Sequence, residues 1–368
     1  MSNVRTTYML DYLIFSPMNR YSLIRFFILL FILINYSCVN RKITRRSRIS
    51  EFINPVYNND LPDPAIIRTS DNTFYAYATN GKYLNGEYGN IRVLKSKDLI
   101  NWIECPDVLP VKAKWANKTD SYWAPFVIYA NRKYYLYFSA EQNDKSGMGI
   151  GVAISDNPLG PFNPEDKPIV YGKSFENIDP TVYIDSTTNK AYLYWGSGFK
   201  PIKVQEMDGN LLTLKEGSRP QDIIFTSSKN YEILVEGPWI IHKNNYYYMF
   251  YSGDNCCGDK AHYAVLIARS KSPTGPFVTI SEDTRCADNS ILVENDYWLA
   301  PGHNSIIQDD NNDYWILYHA INRSKKAPIG EDKYTARELL IDKLIWESNG
   351  WPKKMTPSHF KTVVPYIR

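Results

Sequence analysis

The sequence has little net charge and no extended basic region. Its 42 Lys and Arg residues nearly balance 39 Asp and Glu residues, which leaves a formal charge of +3 over 368 residues. The only dense basic run covers residues 41–48. Because nucleic-acid-binding domains concentrate Lys and Arg on one face or along one helix, this composition argues against a nucleic-acid partner and favours a neutral or weakly charged ligand.

Helical periodicity is missing over most of the chain. Turn dipeptides such as Gly160-Pro161 and Gly275-Pro276 instead separate short apolar runs, as is typical of strands. Aromatic residues make up 14% of the chain, with 29 Tyr and 9 Trp. These residues favour strands and also provide flat apolar faces on which sugar rings can stack. We therefore expect an all-β protein.

Cysteine is scarce, and the spacing of the five residues matches no zinc-binding pattern. Cys256 and Cys257 are adjacent in the sequence. We expect this pair to rigidify a loop rather than to carry out redox chemistry, and the sequence leaves the disulfide pairing open.

The N-terminal segment has the pattern of an export signal. An uninterrupted apolar stretch, Phe26–Ile34, follows Arg20 and Arg25 and precedes Ser37 and Cys38. The stretch is too short to span a bilayer and has the layout of a signal peptide, while Cys38 after a small residue resembles a lipoprotein cleavage site. We expect a periplasmic, extracellular or outer-membrane-anchored protein, with possible membrane attachment through lipidated Cys38. The predicted segments are an export signal at 1–38, a linker at 39–52 and a folded domain at 53–368.

Five segments share one pattern: a polar or aromatic residue near Pro or Gly, an apolar triplet, a short polar turn, then an aromatic run. The aromatic runs are Phe74–Tyr77, Tyr134–Tyr137, Ala191–Tyr194, Tyr246–Met249 and Tyr314–Leu317. The leading residues, at separations of 60, 56, 57 and 67 positions, are Asp63, Trp123, Asp179, Glu236 and His303. This period suits a four-stranded antiparallel blade with its turns.

Five such repeats in one chain predict a five-bladed β-propeller, with an array of β-sandwiches as the alternative. In a propeller the corresponding position of every blade reaches the central channel, so the five leading residues should converge. Three acids, one indole and one imidazole in a single funnel suit a sugar site. A purely structural repeat would more often keep the same residue in every blade.

Three short motifs resemble those of a known enzyme family. They are Leu61-Pro62-Asp63-Pro64, Asn177-Ile178-Asp179-Pro180 and Val235-Glu236-Gly237-Pro238. Their order and separation, each before a Tyr-rich run, resemble the three acid motifs of glycoside hydrolase family 43. The resemblance covers roughly residues 54–352 and extends to Trp123-Ala124-Pro125, Ala300–Ser305, Arg337-Glu338, Trp346 and Gly350-Trp351-Pro352.

The resemblance implies a division of labour among the acids. Asp63 is similar to the family's general base, Glu236 to its general acid, and Asp179 to the acid that orients and tunes its partner. Cleavage with inversion needs a carboxylate that activates water and a protonated carboxyl that donates to the leaving oxygen. We expect burial and the neighbouring Asp179 charge to raise the pKa of Glu236. Taken alone, an Asp before Pro also caps turns.

The resemblance also implies roles for three other residues. Trp123 would form a sugar-stacking wall, with core packing as the alternative. Arg337 resembles an arginine that binds sugar hydroxyls, with a surface ion pair to Glu338 or Asp342 as the alternative. His303 resembles a histidine at the channel centre near a bound structural calcium, with a hydrogen-bonded structural role as the alternative. The chemistry itself requires no cofactor.

The expected function is hydrolysis of pentose linkages in plant polysaccharides by a monomeric inverting enzyme, releasing α-L-arabinofuranosyl units from arabinan or arabinoxylan. The Gly302–Ser305 segment and the adjacent cysteines, which resemble those of some arabinan-cleaving members, favour arabinose. A β-xylosidase is the nearest alternative. Two others are a retaining furanosidase acting on sucrose or fructans, in which an Asn-Asp-Pro-Asn context is expected, and a non-catalytic carbohydrate-binding propeller.

Overall fold

A computed structural model of the chain describes residues 51–325 and 336–368. The predicted export segment, with Cys38, and linker residues 39–50 lie outside these ranges. Within them the helical residues form a 3-10 turn, Lys114–Ala116, and one short α-helix, α1, at Ile280–Thr284. Thr279 caps α1 through a reciprocal pair of hydrogen bonds with Glu282. No helix in the described ranges is long and apolar enough to cross a membrane.

All other regular structure is β. In chain order the strands are β1 (Glu51–Phe52), β2 (Ala65–Arg68), β3 (Phe74–Ala78), β4 (Gly81–Lys82), β5 (Tyr88–Gly89), β6 (Arg92–Ser96), β7 (Ile103–Cys105), β8 (Tyr122–Ala130), β9 (Lys133–Glu141), β10 (Met148–Ser155), β11 (Asn163–Pro164), β12 (Val170–Tyr171), β13 (Thr181–Ile184), β14 (Ala191–Trp195), β15 (Ile202–Glu206), β16 (Gln221–Ile224), β17 (Val235–Lys243), β18 (Tyr246–Asn255), β19 (His262–Ser270), β20 (Val278–Thr279), β21 (Ser290–Leu292), β22 (Trp298–Gln308), β23 (Tyr314–Asn322), β24 (Glu338–Lys343) and β25 (Thr362–Val363).

Twenty-one of these strands form five antiparallel sheets arranged in a ring, while β1 pairs with β25 and β4 with β5 in separate two-stranded sheets. Blades 1 and 3 have four strands each, in the orders β2-β3-β6-β7 and β13-β14-β15-β16. Blades 2 and 4 run β8-β9-β10-β11 and β17-β18-β19-β20, with β12 and β21 pairing with β10 and β19 respectively. Blade 5 contains β22-β23-β24. The all-β class and the five-bladed propeller are confirmed.

The N-terminal end of the described chain closes the ring against blade 5. Val56 N–H donates to the Leu339 carbonyl at 3.0 Å, and Leu339 N–H donates to the Tyr57 carbonyl at 3.1 Å. The side chain of Asn54 both donates to and accepts from the main chain of Ile341, at 3.0 Å in each direction. The first residues of the domain therefore occupy the outer edge of β24, so blade 5 joins both ends of the chain.

Each predicted aromatic run forms the second strand of a blade and is almost completely buried between neighbouring blades. A buried tyrosine hydroxyl needs a hydrogen-bond partner. In four blades, a tyrosine hydroxyl of the second strand donates to the main-chain carbonyl of a turn that comes later in the chain, at 2.6–2.8 Å. The pairs are Tyr77 to Pro158, Tyr137 to Leu211, Tyr194 to Pro273 and Tyr248 to Gly350. Packing between blades thus accounts for much of the aromatic content.

Candidate active site

In every blade, a residue within the inner strand or just before it has the left-handed backbone conformation. The φ angles of Asp63, Ala124, Asp179, Gly237 and His303 are 58°, 45°, 61°, 60° and 46°. Non-glycine residues seldom adopt this conformation, and it costs energy that the surrounding contacts must offset. These five positions are the structural equivalents. The sequence repeat identified three of them directly, whereas Trp123 and Glu236 each lie one residue before the equivalent position.

A side chain from the second strand of the preceding blade, or from just beyond that strand, holds four of these turns. The N–H groups of Ala124, Asp179 and His303 donate to hydroxyl oxygens, and that of Asp63 donates to an imidazole nitrogen. Ala124 N–H donates to Thr79 Oγ1 at 2.8 Å, and Asp179 N–H donates to Ser139 Oγ at 3.0 Å. His303 N–H donates to Ser252 Oγ at 2.8 Å, and Asp63 N–H donates to His319 Nδ1 at 3.1 Å. The fourth turn differs, because Gly237 N–H donates to Asp179 Oδ2 at 3.0 Å. This contact brings two of the predicted acid motifs together.

Asp63 lies among positive and hydrogen-bond-donating groups. Arg337 Nη1 contacts Asp63 Oδ1 at 3.0 Å, and Thr79 Oγ1 donates to Asp63 Oδ2 at 2.5 Å. Burial by itself would raise the pKa of Asp63, but the adjacent Arg337 guanidinium, followed by the two histidines and the Thr79 hydroxyl, lowers the pKa well below its ordinary value. Asp63 is therefore expected as a carboxylate near neutral pH.

Burial disfavours the charged form of both histidines of the site. Burial lowers the pKa of His319 well below its ordinary value and also lowers the pKa of His303. His303 Nδ1 lies 3.5 Å from Asp63 Oδ1 and 3.8 Å from Asp179 Oδ2. His319 Nδ1 accepts a hydrogen bond from the main-chain N–H of Asp63. Because burial disfavours the charged form of both imidazoles, Arg337 is the main source of positive charge beside Asp63.

Glu236 lies among neutral hydroxyls. Tyr263 OH donates to Glu236 Oε1 at 2.7 Å, and Ser197 Oγ donates to Oε2. Burial raises the pKa of Glu236, while the two hydroxyl contacts act in the opposite direction. A β-carbon at Gly302 would lie 2.1 Å from the Tyr263 ring, so only glycine at this position lets the ring reach the carboxyl.

Asp179 lies between the other two acids. Burial, followed by repulsion from Glu236 and Asp63, raises the pKa of Asp179 well above its ordinary value. The repulsion predicted between Asp179 and Glu236 is therefore present, and it raises the pKa of Asp179. Two neighbouring buried carboxyls resist a double negative charge, so the pair retains a proton.

Arg337 and Trp123 are both at the site. Arg337 pairs with Asp63, so the alternative of a surface ion pair with Glu338 or Asp342 is wrong; Glu338 instead pairs with Lys325. Trp123 is partly exposed, directly before the left-handed Ala124, and is not a member of the buried core clusters of the described chain. Arg337 thus lies beside Asp63 and Trp123 lies next to the turn held by Thr79, while contact of either residue with substrate stays a prediction.

The central channel of the propeller is the place where the predicted calcium would bind. His303 and Asn304 line a narrow cavity of about 10 Å³, room for roughly one water molecule. Both side-chain amide atoms of Asn304 lack a protein partner. Calcium requires six to eight oxygen ligands, and the described ranges contain no cluster of three or more His, Cys, Asp or Glu residues that could hold a metal. These residues do not by themselves form a calcium coordination shell.

The adjacent cysteines form a disulfide beside the site. Cys256 and Cys257 are bonded to each other, and Cys256 packs against Tyr263, Ala300 and Ile321. Cys105 and Cys286 are free thiols. The disulfide therefore supports the residue that donates to Glu236 Oε1.

Sequence reasoning missed the second-strand residues that hold the site. Thr79, Ser139, Ser197, Ser252 and His319 each follow an aromatic run by a few residues at most, a regularity that could have identified them. Their roles depend on which neighbouring blade they contact, however, and a single sequence does not contain that information.

A five-bladed propeller that brings three buried carboxyls and an arginine together at its central face has the architecture of an acid–base glycoside hydrolase. Residues 52–352 match the family described as Glycosyl hydrolases family 43, and the chain belongs to this family. It is an inverting hydrolase of O-glycosyl bonds that requires no cofactor for its chemistry.

Several known proteins are similar to most of the chain. An extracellular exo-α-(1→5)-L-arabinofuranosidase of Cellvibrio japonicus is 28% identical over 318 residues, covering 80% of this chain and 86% of its own length. An extracellular endo-α-(1→5)-L-arabinanase of Bacillus subtilis is 29% identical over 308 residues, covering 80% and 88%. The crystal structure of a thermostable family-43 glycoside hydrolase superposes with a TM-score of 0.70 at 28% identity, covering 86% of this chain and all of that one.

Proposed function

We propose that this enzyme hydrolyses α-L-arabinofuranosyl linkages of arabinan or arabinoxylan, with Asp63 as general base, Glu236 as general acid and Asp179 as the carboxyl that positions and tunes Glu236. The observation that carries the assignment is the opposite character of the partners of Asp63 and Glu236. Asp63 pairs with the Arg337 cation, whereas the hydrogen-bond partners of the Glu236 carboxyl within the described residues are the hydroxyls of Ser197 and Tyr263.

In the proposed reaction, the Asp63 carboxylate takes a proton from a water molecule as its oxygen attacks the anomeric carbon. The bond from that carbon to the glycosidic oxygen breaks, and Glu236 delivers its proton to this leaving oxygen. The new C–O bond lies on the opposite face of the sugar, so the anomeric configuration inverts. Proton exchange with solvent then restores Asp63 to the carboxylate form and Glu236 to the acid form.

The hydroxyl partners of Glu236 suit both of its protonation states. A hydroxyl can donate to a carboxylate and can also turn to accept from a carboxylic acid, so Ser197 is able to contact Glu236 before and after proton transfer. Asp179 accepts the Gly237 N–H, a contact that favours its charged form. In the reactive state we therefore assign the shared proton of the pair to Glu236.

The sugar assignment is supported by the names of two relatives, an arabinofuranosidase and an arabinanase. Trp123 is the proposed stacking wall for the reacting sugar, and Arg337 a contact for its hydroxyls as well as the partner of Asp63. The decisive experiment compares an aryl α-L-arabinofuranoside, an aryl β-D-xyloside and debranched arabinan, with product lengths and the first anomer followed by proton NMR. Preferred turnover of the xyloside would favour the β-xylosidase alternative, and binding without turnover would contradict catalysis.

We further propose that the enzyme is exported and lipidated at Cys38. The support is the signal-like sequence around Phe26–Ile34 and the extracellular description of two relatives. Full-length protein expressed in a bacterial host with labelled palmitate should incorporate the label, and Cys38→Ala should not. Monomeric state and a structural calcium stay predictions, for which light scattering and metal analysis of the purified enzyme are the tests.

A further inference from the structure

An aromatic pair, with Phe175 partly exposed and Phe199 exposed, flanks the β13–β14 hairpin of blade 3. The rings of Phe175 and Phe199 are arranged edge to face, with centroids 6.1 Å apart and planes at 73°. Phe199 is 58% exposed, although phenylalanine is usually buried. It also has a φ of 61°, a left-handed conformation that is unfavourable for a bulky residue. Local contacts must therefore hold this ring at the surface.

Two close main-chain approaches fix the pair in place. Gly196 N–H donates to the Ile178 carbonyl at 3.1 Å. A β-carbon on Gly198 would lie 3.1 Å from the main chain of Glu176, so the two segments pack with no room for a side chain there. The turn that carries Phe199 is thereby attached to the segment that carries Phe175.

The same turn reaches the proposed acid. Ser197, two residues before Phe199, donates to Glu236 Oε2, and Phe175 lies four residues before Asp179. The proposed proton transfer from Glu236 goes to the glycosidic oxygen that departs with the leaving group. The surface beside Glu236 on blade 3 therefore faces the leaving group rather than the sugar whose anomeric carbon reacts.

We propose that Phe199, supported by Phe175, forms a stacking platform for the pentose ring of the leaving group. A neutral sugar has an apolar face of C–H bonds that packs on an exposed aromatic ring. The inference rests on the proposed function, because it takes Glu236 as the proton donor. It adds a binding site for the departing sugar, distinct from the wall proposed at Trp123.

The test separates substrates by their leaving group. Methyl α-L-arabinofuranoside releases methanol, whereas α-1,5-L-arabinotriose releases a sugar. Phe199→Ala should lower kcat/KM for arabinotriose at least ten-fold, mainly through a higher KM, and should change kcat/KM for the methyl glycoside less than two-fold. Phe199→Trp should retain activity on arabinotriose, and Phe175→Ala should show a smaller loss with the same selectivity.

Phe360→Ala is the matched control, because Phe360 is similarly exposed, at 61%, but lies in the C-terminal segment. It should leave both substrates unaffected, and thermal unfolding should confirm that every variant is folded. Equal losses on both substrates, or no loss on arabinotriose, would overturn the platform while leaving the proposed function intact. If the wild type cleaves xylobiose and methyl β-D-xyloside instead, the arabinose assignment fails and the same comparison is made with that pair. Wild-type inactivity on all four probes would overturn both proposals.

Discussion

Asp63 and Glu236 are equally hidden from solvent, at 8% and 9% exposure, yet they have opposite acid–base character. Both carboxyl groups accept hydrogen bonds on both oxygens. Asp63 has a guanidinium and a hydroxyl as partners, whereas Glu236 has two hydroxyls. Burial raises the pKa of each, but only Asp63 has a cation close enough to reverse the effect. In this site the charge of the partner, rather than the depth of burial, distinguishes the base from the acid.

The largest effect is expected from neutralising the two acids separately. Asp63→Asn removes the proposed base and should lower kcat by about 10²–10⁴-fold on every substrate. Glu236→Gln should cause a comparable loss on substrates with a poor leaving group. It should recover much of the rate on a 2,4-dinitrophenyl arabinofuranoside, because that leaving group departs without a proton. Steady-state rates on the two substrate types measure the difference.

Asp185→Asn is the control for this comparison, since Asp185 is also buried but is held by Thr187, Thr188 and Tyr247 in a turn of blade 3. It should show no dependence on the leaving group. Recovery of Asp63→Asn, rather than Glu236→Gln, on the activated substrate would reverse the assignment of acid and base.

A second expected effect, of about 10–100-fold, comes from removing the cation beside Asp63. Arg337→Met should raise the pKa of Asp63, because the guanidinium no longer stabilises the carboxylate. Asp63 acts in its deprotonated form, so the acidic limb of the kcat/KM profile should move to higher pH. Arg337→Lys should move it less. A profile measured from pH 3 to pH 9 checks the sign.

Arg68→Met serves as the control, because Arg68 pairs with Asp310 in a partly exposed ion pair in another part of the chain. Its profile should match that of the wild type. If the acidic limb of Arg337→Met stays in place, another group must hold Asp63 in its charged form.

The sequence predicted the blades and the convergence of the acids because both depend on a local repeat. Strand patterning, turn residues and the acid-proline motifs recur about every 60 residues, so a single chain reveals them. The prediction was one residue off at Trp123 and Glu236, because the left-handed positions are Ala124 and Gly237. The bulges after Trp123 and Glu236 shift the register there, and side-chain patterning does not reveal a bulge.

The residues around the acids were less predictable, because their roles arise between blades. Ser197 shows the difficulty. It lies one residue beyond Gly196, which occupies the place in blade 3 that Ser139 and Ser252 occupy in blades 2 and 4, and it contacts a carboxyl rather than a main-chain N–H. The left-handed Gly237 donates instead to Asp179. Only the packed structure distinguishes these two outcomes.

A third effect, of about ten-fold, is expected at a residue remote from substrate. Arg92, which is 1% exposed, donates from Nε to the Thr79 carbonyl at 3.0 Å and from Nη1 to the Asp60 carbonyl at 2.6 Å. Asp60 Oδ1 in turn accepts the Arg337 N–H at 2.9 Å. Arg92 is therefore a positioning residue for both partners of Asp63.

Arg92→Lys should lower kcat more than it changes KM, and it should also move the acidic limb to higher pH, since Thr79 and Arg337 lose their fixed geometry. A purely structural role would lower the thermal unfolding midpoint without moving the limb. Arg92→Met should produce the larger change in both measurements. An unchanged pH profile in a folded Arg92→Met variant would contradict the positioning role.

The smallest effect on rate is expected from removing the hydroxyls that donate to Glu236. Ser197→Ala and Tyr263→Phe each remove one donor from Glu236, and the loss of one hydrogen bond corresponds to about three- to ten-fold in rate. Both donors lower the pKa of Glu236, so their removal should raise it. Glu236 acts in its protonated form, and activity is lost as the pH rises through its pKa, so the basic limb should move to higher pH while the acidic limb stays. Movement of the acidic limb alone would mean that these hydroxyls act on Asp63. That result would contradict the claim that Asp63 and Glu236 owe their opposite acid–base character to different partners.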